Sequence, residues 1–207
     1  MVLGYHAIMS FYGFWLPNDP RGSWSTWIRR WELLRFGPAT KVDTHRSVAR
    51  APCDHRLRRA AKAALKYPPV VLSGKQALAV GLAFQEAIEE GGYRCYACSI
   101  LPEHVHLVLA RHPRKIEGML MHLRSAVTRK LNADGLNPLL KFETPEGCVP
   151  TPWAHGFWKV YLNTPFDMNR AITYAENNPK KEGKPRQTWT MVVPYPYRDV
   201  TAGKPRR

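Results

Sequence analysis

Two histidines one residue apart, His104 and His106, lie within Ile100-Leu101-Pro102-Glu103-His104-Val105-His106-Leu107-Val108-Leu109. A β-strand turns alternate side chains to one face, so a strand here presents both imidazoles together, which is half of a metal site. The run is apolar on both sides of Pro102 and predicts a strand pair or one bent strand with a Pro-containing kink, the histidines opening the second strand. Tyr174 and Asn178 form the second feature. The helix that carries them has its apolar stripe at Met168, Ala171, Ile172 and Ala175. At 100° per residue Tyr174 lies about 110° from the centre of that stripe, so it flanks the core and does not fill it. The Asn178 amide follows one turn later, and Pro179 marks the helix end. Taken singly, each feature has an ordinary explanation: core histidines satisfied by backbone groups, an exposed tyrosine, a capping asparagine. Together, on a strongly basic chain, they point to a site.

The charge names the partner. Lys and Arg number 31 against 16 Asp and Glu, giving +15 at neutral pH and a pI near 10.0, the electrostatic footprint of a nucleic-acid binder. The apolar runs are too short to span a bilayer, and Met1-Val2-Leu3-Gly4-Tyr5-His6 lacks the basic-then-apolar order of a signal peptide, so a cytoplasmic protein with no membrane partner is expected. With 207 residues, 44% of them hydrophobic, the chain can bury one respectable core. Cys53, Cys95, Cys98 and Cys148 are too scattered for a disulfide framework and agree with a reducing compartment. Cys95-x-x-Cys98 ahead of the histidines invites a zinc site. However, 93–100 reads as a strand, where positions three apart face opposite ways, and packing is the expected role.

The elements that must position these groups follow from periodicity and caps. Tyr5 to Gly13 reads as a first strand, and Trp15-Leu16-Pro17-Asn18-Asp19-Pro20-Arg21-Gly22 as a loop. From Ser23 to about Pro69 the chain is basic and bears tryptophans, with a helical pattern only over 56–66; it reads as an insertion on the core. Ser73 and Gln76 form a capping box that opens a helix with Ala77, Val80, Phe84 and Ile88 on one stripe, Glu86, Glu89 and Glu90 toward solvent, and Gly91-Gly92 as its stop. A second helix starts at about Arg114, with Ile116, Met119, Leu120, Leu123, Val127 and Leu131 at helical spacing. Arg124, Thr128 and Arg129 lie off that stripe, on either a solvated or a phosphate-contacting face. Residues 156–162 read as another strand, after which Thr164 caps the third helix, with Pro165 at its first position and Asp167 three residues after the cap. Strand, insertion, helix, strand, strand, helix, strand, helix predicts an α+β protein, a ferredoxin-like antiparallel sheet with helices on one face and a basic insertion after the first strand. Residues 1–197 make a single domain, the insertion covers about 21–70, and 198–207 form a basic C-terminal tail.

These segments resemble the REP-associated tyrosine transposases, within the single-tyrosine HUH transposases and nucleases. The resemblance rests on Leu101-Pro102-Glu103-His104-Val105-His106-Leu107-Val108, on 174–183 (Tyr174-Ala175-Glu176-Asn177-Asn178-Pro179-Lys180-Lys181-Glu182-Gly183) and on 11–22 (Phe11-Tyr12-Gly13-Phe14 through Gly22). Gly156-Phe157-Trp158-Lys159 and 189–195 also match family segments, so the likeness runs in order along nearly the whole chain. It implies the HUH endonuclease fold and a metal-dependent nuclease and transposase acting on single-stranded DNA beside short REP-like hairpins. In that scheme His104 and His106 hold Mg2+ or Mn2+, with Asn178 as a third ligand, and the cation acts as a Lewis acid on the scissile phosphate. Tyr174 attacks phosphorus, leaving a 5′-phosphotyrosine and a free 3′-hydroxyl that can attack back, so strands are exchanged without a nucleotide cofactor. A tyrosine ionises near pH 10, so the attack needs local positive charge or a proton acceptor. Asn178 stands where two-tyrosine relatives carry a second tyrosine, so each site makes one cut at a time. Arg124, Arg129, Lys159, Lys180, Lys181, Trp15 and Arg21 are the candidate DNA contacts, and Trp15, Trp24, Trp27, Trp31 and Trp158 the candidate base-stacking rings. Such a protein is expected at the nucleoid, as a monomer or homodimer without an obligatory protein partner.

Two other readings compete. A catalytically inactive protein of the same fold would grip hairpin DNA or RNA through charge and shape, although the presence of both histidines, the tyrosine and the asparagine argues against it. A phosphoesterase with two His-x-Ser/Thr motifs is suggested by His45-Arg46-Ser47, but His106 stands where the second motif needs a hydroxyl.

Overall fold

Alternating side chains over Gly4–Ser10 (β1), Cys95–Ile100 (β2), His104–Ala110 (β3) and Trp158–Leu162 (β4) make one antiparallel sheet of order β2-β3-β1-β4 in the computed structural model, which describes residues 1–43, 48, 49 and 51–198. His45-Arg46-Ser47 and the tail beyond Arg198 lie outside the described residues. The helices are His55–Ala63 (α1), Gly74–Gly91 (α2), Ile116–Ala133 (α3) and Pro165–Lys181 (α4).

Tyr5, Ala7 and Met9 of β1 and Val105, Leu107 and Leu109 of β3 face the apolar stripes of α2 and α3 and form the main core with them. The opposite face carries Gly4, His6, Ile8 and Ser10, paired with Ala110, Val108, His106 and His104. The antiparallel α+β arrangement is the one the sequence predicts, and α2 and α3 share a face. α4 does not join them: Met168, Ala171, Ile172 and Ala175 pack on the histidine face against Ala97, Val108 and Leu162. Width explains the third layer. Four strands at about 4.8 Å spacing span about 19 Å, enough for two helices about 10 Å across, so a third must take the other side. Gly4 lets it come close, since a Cβ there would stand 2.9 Å from the Met168 sulfur and 2.5 Å from the Leu109 carbonyl oxygen.

Both predicted capping boxes are present, at Ser73/Gln76 and Thr164/Asp167, and Gly92 stops α2 in the left-handed conformation at φ 62°. α4 runs two residues past Pro179. A proline this near a helix end forfeits a single backbone bond, and its carbonyl still closes the terminus by accepting from the Glu182 and Lys184 amides (3.0 and 2.9 Å). Cys95 and Cys98 do pack in the core, but they share a face, because a bulge between Cys95 and Ala97 resets the alternation. Burial pushes the Cys95 thiol up to about 12.

The insertion has a small core of its own, Leu16, Leu33 and Ala61, with Ile28, Phe36 and Leu65 against it. Asp19 organises it from a fully buried position, accepting two bonds of 2.8 Å from Arg21 and one of 3.2 Å from Arg58. Burial works to raise its pKa, but the Arg21 hydrogen bonds and the two guanidinium charges outweigh that and hold it below the usual carboxylate value. The segment 187–195 covers the open edge of β2: Gln187 bonds both the N–H and the C=O of Ile100 (2.7 Å each), and the Val193 amide donates to the Cys95 carbonyl (2.9 Å). Among the described residues no helix is long and apolar enough to cross a membrane.

Candidate active site

β3 presents His104 and His106 on the face that α4 covers, and α4 brings Tyr174 and Asn178 down to them. His106 is the hub. Its Nε2 accepts from the Asn178 amide at 2.9 Å, and its Nδ1 shares a hydrogen bond of 3.1 Å with His6 Nε2 from β1. The His6 and His106 rings stack at 5.3 Å and 25°, while His104 meets His106 edge-on at 4.9 Å. Tyr174 presents its ring at 5.5 Å from His106 and 5.7 Å from His6 and stays 39% exposed. Lys181 sets its ammonium 3.8 Å above that ring. His104 is held flat by Phe14, stacked at 4.7 Å and 10°, and its buried Nδ1 has no partner.

Burial keeps the imidazoles neutral, lowering His6 and His104 to about 4. His106 is pushed further down by burial, with the neighbouring His104, His6 and Lys181 acting in the same direction. Neutral imidazole is the form that ligates a metal. Among the described residues no three His, Cys, Asp or Glu side chains converge on one point, so a third donor must be of another type. Asn178 supplies it. Which amide atom faces His106 is an assignment, and the flipped amide offers its oxygen. His104 adds a buried nitrogen without a partner, and this donor set fits a small divalent cation that keeps open positions.

The candidate DNA contacts divide. Lys180 and Lys181 end α4, and Lys181 lies over the Tyr174 ring. Arg21 is taken by Asp19, and Arg124 donates to the carbonyls of Ala154 (2.6 Å) and Gly156 (3.0 Å), so each braces a loop and offers no free guanidinium to a phosphate. Lys159 lies opposite Ala7, on the α2/α3 side, in an ion pair with Glu117; Arg129 is exposed on α3. Trp15 is likewise a loop brace, its indole N–H bonded to the Gly22 carbonyl (2.8 Å) and its ring covered by Arg21 (3.9 Å). In sequence, a basic side chain beside an apolar stripe looks the same whether it braces a loop or meets a phosphate. Trp158 sits edge-on to His6 at 5.6 Å and to Trp24 at 5.8 Å, while Trp27 and Trp31 are 76% and 83% exposed. His6 is the site residue that the sequence reading missed. Its place in the strand alternation was visible, but its meeting with His106 depends on the β1–β3 register.

No family model matches this sequence, and no curated protein matches it. Among solved structures the chain is similar to a REP-associated tyrosine transposase bound to a REP hairpin, at 12% identity over 99% of this chain and 93% of that one, with a TM-score of 0.47. It is also similar to a protein from Deinococcus radiodurans R1 provisionally designated a transposase, at 14% identity over 86% of this chain and 91% of that one, with a TM-score of 0.43.

Proposed function

We propose that this protein is a transposase-type enzyme, a metal-dependent nuclease and strand transferase that cuts and rejoins single-stranded DNA beside REP-like hairpins through a 5′-phosphotyrosine. The observation that carries the reading is the approach of the exposed Tyr174 phenol to His106, whose Nε2 already meets Asn178. In this reading His104, His106 and Asn178 hold Mg2+ or Mn2+, which when bound supplies Lewis-acid polarisation of the scissile phosphate. Tyr174 Oη forms the bond to phosphorus and gives its proton to solvent; the bond from phosphorus to the 3′ oxygen breaks, and that oxygen leaves as a hydroxyl after taking a proton from water. Lys181 sets positive charge beside the attacking phenol. The reverse attack by the 3′-hydroxyl rejoins the strand and frees the tyrosine. The excess of 31 basic over 16 acidic residues supports a nucleic-acid partner, and hairpin DNA is the substrate that the sequence resemblance implies.

The test incubates the full chain with end-labelled single-stranded hairpin DNA and Mn2+ and resolves the products on a denaturing gel. A protein–DNA adduct that vanishes with chelator and in Tyr174→Phe is expected. An adduct that persists in Tyr174→Phe moves the nucleophile elsewhere. Tight hairpin binding with no adduct in the wild type makes the protein the inactive binder of the same fold.

A further inference from the structure

His6 comes from the first strand, one hundred residues before His106, yet it contacts His106, Trp158 and Tyr174 together. It lies on the α4 face, one register step from His106, which sits opposite Ile8. Its ring stacks on His106 at 5.3 Å and is boxed by the edges of Trp158 (5.6 Å) and Tyr174 (5.7 Å). Neither imidazole is free to rotate without displacing the other.

With the Asn178 NH2 group turned toward His106, the hydrogen bonds fix where the protons are. A neutral imidazole has one donor and one acceptor nitrogen, and His106 is bonded at both. The Asn178 NH2 group can only donate, so His106 Nε2 accepts and the His106 proton is on Nδ1. That N–H donates to His6 Nε2, which leaves the His6 proton on its own Nδ1. In that orientation the chain His6, His106, Asn178 runs one way, and it leaves the His106 Nε2 lone pair facing Asn178. In the opposite direction His106 carries its proton on Nε2, the Asn178 amide turns its oxygen inward to accept it, and the ligand lone pair is lost from the site.

We infer that His6 is a positioning residue: by accepting from His106 Nδ1 it fixes the tautomer whose Nε2 can hold a divalent cation, and so sets the affinity of the site. The inference rests on the proposed role of His106 as a ligand. An orienting partner on the second nitrogen of a metal-bound histidine changes metal affinity by about ten- to hundredfold.

Two measurements on the full chain without DNA test it. Free Mn2+, read from its six-line EPR signal, gives the Kd of the wild type, His6→Phe and His6→Gln. Phe keeps a ring but cannot accept a hydrogen bond, and a Kd about ten- to hundredfold weaker is expected; Gln offers a carbonyl oxygen and should recover most of it. Long-range 15N–1H spectra of the imidazoles should show His106 as the Nδ1–H tautomer in the wild type and a shift toward Nε2–H in His6→Phe. Wild-type affinity in a folded His6→Phe, or an Nε2–H tautomer in the wild type, overturns the assignment. A wild type that takes up no Mn2+ overturns the metal reading itself, and the tautomer spectra then still decide whether His6 orients His106.

Discussion

Truncating Ile172 to alanine should release the site helix while leaving the rest of the protein folded. Ile172 is fully buried, in the cluster that pins α4 to the sheet, and this cluster shares no residue with the α2/α3 core on the other face. The substitution removes three carbons, about 2.4 kcal/mol of transfer free energy at about 0.8 kcal/mol per methylene. Incomplete collapse around the gap brings the cost to about 3 kcal/mol. Because α4 is held by its own cluster, that loss falls on the local opening of α4, and about 3 kcal/mol is about a hundredfold in the opening equilibrium. Native-state hydrogen exchange reads it directly. Amides of 169–181 should exchange about a hundredfold faster, those of α2 and α3 should change by less than about threefold, and the yield of the Tyr174 adduct should fall as α4 spends more time away from His106. Equal acceleration in α2 and α3 would show that the two faces unfold as one unit, and the assignment of α4 to a separable layer would fail.

Two further outcomes are expected. His6 and His104 have folded pKa values of about 4 against about 6.5 when unfolded, so the unfolded chain takes up protons first as the pH falls. Stability is therefore full above pH 6.5 and declines toward pH 4, by about 2 kcal/mol for each histidine between pH 8 and pH 5. Urea midpoints that stay level over that interval would contradict neutral, buried imidazoles. On single-stranded DNA, Lys180→Ala should reduce the slope of log K against log salt by about 0.7, while Arg124→Ala should leave the slope unchanged and lower stability by about 1–3 kcal/mol, because two loop carbonyls lose their donor. Fluorescence anisotropy over a salt series, with a denaturation curve for each variant, separates the two. The reverse pattern would return Arg124 to the DNA surface.

What was legible in the sequence was what repeats locally. The stripes of α2, α3 and α4, the two capping boxes and the stop at Gly92 are all signals within a few residues, and each element stands where they put it. The shared face of His104 and His106 and the flanking position of Tyr174 follow from the same periods. Local signals fail where a bulge, a partner or a register intervenes. The bulge at Cys95 reversed the parity argument for Cys98, and Asp19 claimed Arg21 through a buried ion pair that composition does not show. The bonds at the hub are longer-range still: His6 and Asn178 reach His106 from 100 and 72 residues away along the chain, respectively.

The face chosen by α4 could have been reached by arguing from the chemistry back to the fold. With α4 beside α2 and α3, the sheet itself would separate Tyr174 from the imidazoles, since a helix layer stands about 10 Å from a sheet and β3 turns its histidines away from the α2/α3 side. If a phenol, an amide and two imidazoles are to meet on one phosphate, as proposed, the one-face arrangement is forbidden, and the sheet's width forbids it independently. The two constraints agree on three layers. The proposed approach of Tyr174 to the histidine face is by itself enough to place the last helix.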